Sequence, residues 1–257
     1  MNRINIDEEF AAVVVRLGGE VLDRHYPSQD GVRVADFYFP RFNTVVELKR
    51  LEEDLSAKPD FQAAVRGLHQ SWVESGRIAP EVIGHPLRIS SQHLPESCTM
   101  EFVELVKKRV EFSTIKKANK QIKASKENLG RPDAKGWLIV ANDGNLMMKP
   151  DLMLHVLARV LHGKHGAIHA VTYFSVNEFS NVPLVRHPAL FWIDGILEDR
   201  DPPPAVLRDL VQKEWMRHCS KLRGGPVFEI SIDRSPENVS AIDFIRKKDF
   251  GQRRPSK

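Results

Sequence analysis

Cysteine is scarce. The chain has two in 257 residues, Cys98 and Cys219. They form no Cys-x-x-Cys pair and no disulfide framework, which excludes a zinc ribbon and fits a reducing cytosol. No apolar run approaches the ~20 residues of a membrane-spanning helix. The opening residues, Met1 to Glu9, contain no apolar core of a secretory leader. A cytoplasmic protein without a membrane partner is therefore expected. The glycine pairs 18–19 and 224–225 lack the phosphate-cradling G-x-x-x-x-G-K-[ST] pattern, so no P-loop is present. A G-x-S-x-G nucleophile elbow is also missing, as is any internal repeat. The 42% hydrophobic and 28% charged residues are those of an ordinary globular chain, and 257 residues suffice for one large α/β domain.

The net charge of +4 is unevenly distributed. Between Val103 and Lys135 ten basic residues face four acidic ones, a net of +6, so the rest of the chain nets −2. Ile115, Ile122 and Leu129 recur every seven residues there, as in a helix with one buried edge. Lys116, Lys117, Lys120, Lys123 and Lys126 are left to neutralise nucleic-acid phosphates, against the commoner fate of a solvated helix face. Residues 92–135 are read as a basic helical insertion in a single domain spanning 1–257. Residues 245–257, with Arg246, Lys247, Lys248, Arg253, Arg254 and Lys257, are read as a flexible basic tail.

Periodicity outlines the rest. Ile6, Phe10, Val13, Val14 and Leu17 make one face of a helix over 6–17 that Gly18-Gly19 ends. Val21–Tyr26, Val32–Phe39 and Thr44–Leu51 read as three strands. A helix runs from Pro59 through Val73, and residues 76–100 read as loop. Gly136–Ala141 is a buried strand closed by Asn142-Asp143-Gly144-Asn145. A helix over 150–162, strands over 167–176 and 191–196, a helix over 205–221 and a strand over 227–232 complete the pattern. His155, His162, His165 and His169 cluster in sequence, but a helix end suits them better than a metal site. The four tryptophans are assigned to the core or an interface, not to base stacking.

The most informative residues are Asp36, in Val34-Ala35-Asp36-Phe37-Tyr38-Phe39, and Glu47 and Lys49, in Val45-Val46-Glu47-Leu48-Lys49. Glu47 and Lys49, two apart on a strand, point the same way. A hairpin through Pro40-Arg41-Phe42-Asn43 would bring Asp36 beside them. Two carboxylates and an amine then converge, a set suited to Mg²⁺ or Mn²⁺ with a lysine to act on water or phosphate. The ordinary alternative is a solvated edge pair of little energetic consequence. The apolar flanks Val45, Val46 and Leu48 argue against it, because ionised groups in a buried strand need a partner or a metal.

This D-x10-E-x-K arrangement, with a helix before it and a helix after it, resembles the PD-(D/E)XK nuclease superfamily. The likeness covers roughly the first 75 residues, and Ala35 stands where that motif usually has proline. The resemblance implies an α/β fold with a restriction-endonuclease-like mixed sheet flanked by helices. It also implies a Mg²⁺- or Mn²⁺-dependent endonuclease, acting on DNA before RNA, with a homodimer left open. Asp36, Glu47 and Lys49 would be catalytic. Asp36, Glu47 and the Leu48 carbonyl would hold metal, joined by Glu9 from the first helix, with Glu20 a weaker choice. Gln62, on the helix after the motif, is a further catalytic expectation, although the Q-x-x-x-Y form is broken by Arg66. The alternative from another class is a non-catalytic nucleic-acid-binding or assembly protein that keeps the nuclease fold.

Overall fold

The computed structural model describes residues 3–22, 33–79, 94–145, 147–148, 150–162, 164–177, 190–197, 200–225 and 229–234. The basic tail over 245–257 and most of the stretch expected as the first strand lie outside them.

Helix α1 spans Ile6–Arg16, with Asp7, Glu8 and Glu9 in its first turn and Arg16 in its last, as the helix dipole favours. Gly18, at φ 79°, turns the chain out of it. Strands β1 (Glu20–Val21), β2 (Phe37–Phe39) and β3 (Thr44–Leu51) form an antiparallel set. β2 and β3 are joined by the single turn Pro40–Phe42 and by Asn43 in the left-handed conformation. Helices α2 (Pro59–Glu74), α3 (Glu96–Val110) and α4 (Lys116–Asn128) come next, with a π-helical turn over Glu111–Ile115 between α3 and α4. The chain then enters β4 (Lys135–Asn142), which pairs parallel to β3. After α5 (Pro150–Leu161) come β5 (Ala170–Ser175), β6 (Leu190–Ile196), α6 (Ala205–Arg223) and β7 (Glu229–Arg234). The seven strands lie in sequence order in one mixed sheet. β4–β5 and β6–β7 are parallel; β5–β6 is antiparallel.

Strand alternation divides the core between the two faces. Phe37, Phe39, Val46, Leu48, Trp137, Ile139 and Phe174 pack with α1 and α6, while Tyr38, Val45, Leu138, Val140 and Tyr173 pack with α3, α4 and α5. All four tryptophans are buried: Trp137, Trp192 and Trp215 on the α1/α6 face, Trp72 in a smaller cluster with Cys98.

The basic helical stretch packs on the sheet as a covering layer. Val106, Val110, Ile115, Ala118 and Ile122 belong to the main core. The seven-residue spacing finds Ile115 and Ile122 fully buried, with Leu129 packed at the margin. Helix α3 also starts inside the segment expected as loop, because Glu96 in its first turn and the buried Cys98, Val103 and Val106 give it an apolar face.

Candidate functional site

Glu47 and Lys49 share the face of β3 that carries Val45, beneath α4. The register Phe37↔Val46 would place Ala35 opposite Leu48, but the ladder opens before that point. Helix α4 takes the backbone of the preceding residues instead. The Ala35 N–H donates to Ser125 Oγ at 2.6 Å, and the Val34 carbonyl accepts from Gln121 Nε2 at 3.2 Å. The gap this leaves beside β3 is filled by a side chain: Asp36 Oδ2 accepts the Leu48 N–H at 2.7 Å. Asp36 thus stands at the fork between β2 and β3. The N–H and C=O of one strand residue point to the same side, so the Leu48 carbonyl is directed to that fork as well.

Glu47 is completely buried. Its Oε1 forms an ion pair with the Lys49 ammonium, yet neither carboxylate oxygen has a well-formed hydrogen bond among the described residues. Burial, and next the negative charge of Asp36, push the Glu47 carboxyl up to about 8; Lys49 pulls it down by less. A carboxyl so placed is costly for stability alone, and such perturbation marks functional sites. Lys49 is held from its other side, where its Nζ donates to Gln121 Oε1 at 2.8 Å. Gln121 therefore ties the amine to the Val34 backbone.

The other expected residues are distributed differently. Glu9 turns away from the fork to α6, its Oε2 2.5 Å from His218 Nε2. Helix α1 instead presents Asp7 and Glu8 to a groove of about 840 Å³ that Asp36, Leu48 and Arg50 also line. The rotation of about 100° between Glu8 and Glu9 decides this, because Phe10, Val13 and Val14 fix which side of α1 meets the sheet. Glu20 is an exposed residue of β1. Gln62 donates to the Ser56 carbonyl at 2.9 Å and so fastens the turn before α2. The glutamine brought to the triad is Gln121. Nothing in its local sequence distinguishes it, although Ser125, a polar residue on the buried edge of α4, was a readable hint of a partner there.

Lys116, Lys117, Lys120 and Lys123 are exposed along α4, but Lys126 is buried. Burial, with Lys135 beside it, lowers its ammonium to about 8. Lys126 leaves the surface because the sequence stripe Lys116–Lys120–Lys123 and the position of Lys126 lie on different sides of the helix, the latter adjoining Ser125 and Ile122. The histidines do not gather into a site either. His155 is buried in α5, and His169 Nδ1 accepts the Gly136 N–H at 2.8 Å. His165 faces Glu111 at 3.2 Å.

No group of three or more His, Cys, Asp or Glu placed to hold a metal exists among the described residues. The fork offers two carboxylates and a backbone carbonyl. That hard oxygen set fits Mg²⁺ or Mn²⁺, which commonly use one or two carboxylates and keep several waters. The buried Glu47 oxygens, without a full set of donors, are the groups a cation would satisfy. Comparison with protein-family models, with curated proteins and with solved structures returns no match to this chain. Among the described residues no helix is long and apolar enough to cross a membrane.

Proposed function

We propose that this chain is a metal-dependent nuclease that hydrolyses phosphodiester bonds, in DNA before RNA, with a site of the PD-(D/E)XK kind. The observation that carries the reading is the buried Glu47 carboxylate, set between Asp36 at the strand fork and Lys49 on the same face. Asp36, Glu47 and the Leu48 carbonyl would hold Mg²⁺ or Mn²⁺. When bound, such an ion lowers the pKa of a coordinated water and offsets charge on the phosphate. Lys49 orients the attacking water and stabilises negative charge as it develops on the phosphoryl oxygens. Gln121 keeps the Lys49 amine in place, and hydrophobic packing on both faces of β3 keeps the strand from shifting. The exposed lysines of α4 lie on the helix that also supplies Gln121, so one helix joins the proposed phosphate-binding surface to the triad on the sheet.

A cleavage panel with Mg²⁺ or Mn²⁺ on single-stranded, duplex and branched DNA and on RNA tests this reading. Cleavage by the parent and none by Asp36→Asn is the expected result. Nucleic-acid binding without turnover under any condition would instead support a non-catalytic binding protein.

A further inference from the structure

Among the described residues one aromatic stands outside the core. Among the large apolar side chains that the described residues leave exposed, Phe112 is the only aromatic, with 71% of its surface open. The other described phenylalanines are buried or half-buried. Phe112 lies in the π-helical turn over Glu111–Ile115. Such a turn adds one residue to the helix and shifts the phase of the turns downstream, and it is a frequent feature of functional sites. Here the buried row continues through it, with Val110, Thr114, Ile115, Ala118 and Ile122 all inside, while the ring is left outside. A solvent-facing phenyl forgoes the gain from burying apolar surface.

The surroundings of the ring indicate an occupant. One turn onward, the Lys116 ammonium lies 5.8 Å from the ring centroid. The same stripe continues with exposed Lys120 and Lys123, and Lys117 is exposed beside it. Glu127, 3.9 Å from Lys123, is the single acidic residue of α4. An aromatic face beside a row of cations is the pairing that single-stranded nucleic acid uses, its bases stacking on rings and its phosphates meeting lysines. A duplex offers the same phosphates but no free base face. Farther along the same helical run Gln121 holds Lys49, so the ring and its lysines adjoin the element that meets the triad.

We propose that Phe112 is a stacking platform for an unpaired base of a nucleic-acid strand, with Lys116, Lys120 and Lys123 on the flanking phosphates. The substrate is then a single strand, or the single-stranded part of a branched nucleic acid. The proposal rests on the nuclease reading for its account of what the strand is delivered to, but the stacking itself does not require cleavage.

Its test is therefore equilibrium binding in EDTA, read by fluorescence anisotropy with a labelled 20-nucleotide single-stranded DNA, the matching RNA and the DNA duplex. Phe112→Ala should weaken single-strand binding about 5- to 100-fold, leave duplex binding within about twofold and keep the salt slope of the parent. Phe112→Trp should match or exceed the parent. A 2-aminopurine base scanned along the strand should be quenched at one position, and lose that quenching in Phe112→Ala. Equal losses on single strand and duplex, an unchanged affinity in Phe112→Ala, or no single-strand binding by the parent would each overturn the proposal. Loss of affinity for RNA alone or DNA alone assigns the sugar and leaves the stacking intact. Single-strand binding that depends on Phe112 in a chain that cleaves nothing would retain the platform and remove the nuclease. Cleavage indifferent to Phe112→Ala would do the reverse.

Discussion

The proposed mechanism gives Asp36 and Lys49 different duties, and their variants should separate them. Asp36→Ala deletes a hard oxygen ligand, so calorimetry should show divalent-metal binding abolished along with cleavage. Lys49→Ala should retain metal binding, and even strengthen it slightly once a cation is removed, while turnover falls about 10²–10³-fold. A Lys49→Ala protein that cut as fast as the parent would sink the mechanism. In the proposed mechanism Gln121 acts through Lys49, so Gln121→Ala should lower kcat with little change in KM, and Gln121→Glu should restore part of it. A merely structural role would instead move the unfolding midpoint and leave kcat in place. Lys126 supplies a prediction about pH. Its ammonium is held down to about 8 in the folded protein, against ~10.4 in an unfolded chain. The unfolded state therefore binds more protons between those values, and stability should rise with pH across that window. Below about pH 8 the folded protein bears the full cost of a buried cation. Lys126→Met should therefore be more stable than the parent at pH 7, by something on the order of 1–3 kcal/mol. The advantage should shrink toward pH 10.5. Urea midpoints of both proteins from pH 7 to 10.5 check it; parallel curves would mean that burial does not strain this amine.

Helix α4 is where packing, positioning and charge meet. One side buries Ala118 and Ile122, the adjoining edge holds the strand fork through Gln121 and Ser125, and the outer side carries Lys116, Lys120 and Lys123. Changing those three lysines to glutamine should flatten the salt dependence of nucleic-acid binding, by roughly 0.7–0.9 in log–log slope for each phosphate no longer neutralised. Adding Lys126→Gln should leave the slope where the triple variant put it, because that amine is buried. A further decrease would return Lys126 to the binding surface. Strand β4 shows a constraint of another kind. A Cβ on Gly136 would come within 1.9 Å of the Ala167 carbonyl oxygen, and backbone cannot swing aside as a side-chain tip can. Gly136→Ala should cost at least about 1–3 kcal/mol by thermal or urea unfolding. The aim of Lys49 depends on β4 too, since β3 pairs with it along its whole length.

The described residues form a sheet packed on both faces, and the proposed function draws on only one of them. On the α1/α6 face Phe10, Phe174, Trp192 and Trp215 form an aromatic stack, with Phe174 and Trp192 centroids 5.1 Å apart. That stack lies across the sheet from Glu47 and Lys49, so it should govern stability and not chemistry. Phe174→Ala should cost about 3–5 kcal/mol in a urea titration, with residual activity per folded molecule close to the parent's. The opposite face carries the buried carboxylate, the amine and the basic helix. A loss of activity in Phe174→Ala that exceeded its unfolded fraction would show the two faces to be coupled.

Much of this was legible in the chain itself. Alternation in Val45-Val46-Glu47-Leu48-Lys49 sets Glu47 and Lys49 on one face wherever that strand is put, because the period of a strand is local geometry. The spacing of Ile6, Phe10, Val13 and Val14, and the glycines after them, likewise determine a helix and its end. The buried edge of the basic helix was readable from Ile115 and Ile122. What sequence could not carry were contacts between segments far apart along the chain. Gln121 lies 72 residues beyond Lys49, and no periodicity relates them. Whether Glu8 or Glu9 faces the groove depends on how α1 is rotated against α6 and the sheet, which the packing of Phe10 and Trp215 settles. Lys126 reads like its neighbours in composition and differs only in being on the inward side of a helix whose docking the whole core decides. The sequence determined which residues share a strand or a helix face; only the tertiary structure decided which faces meet, because that choice is made by long-range burial and not by local backbone preference.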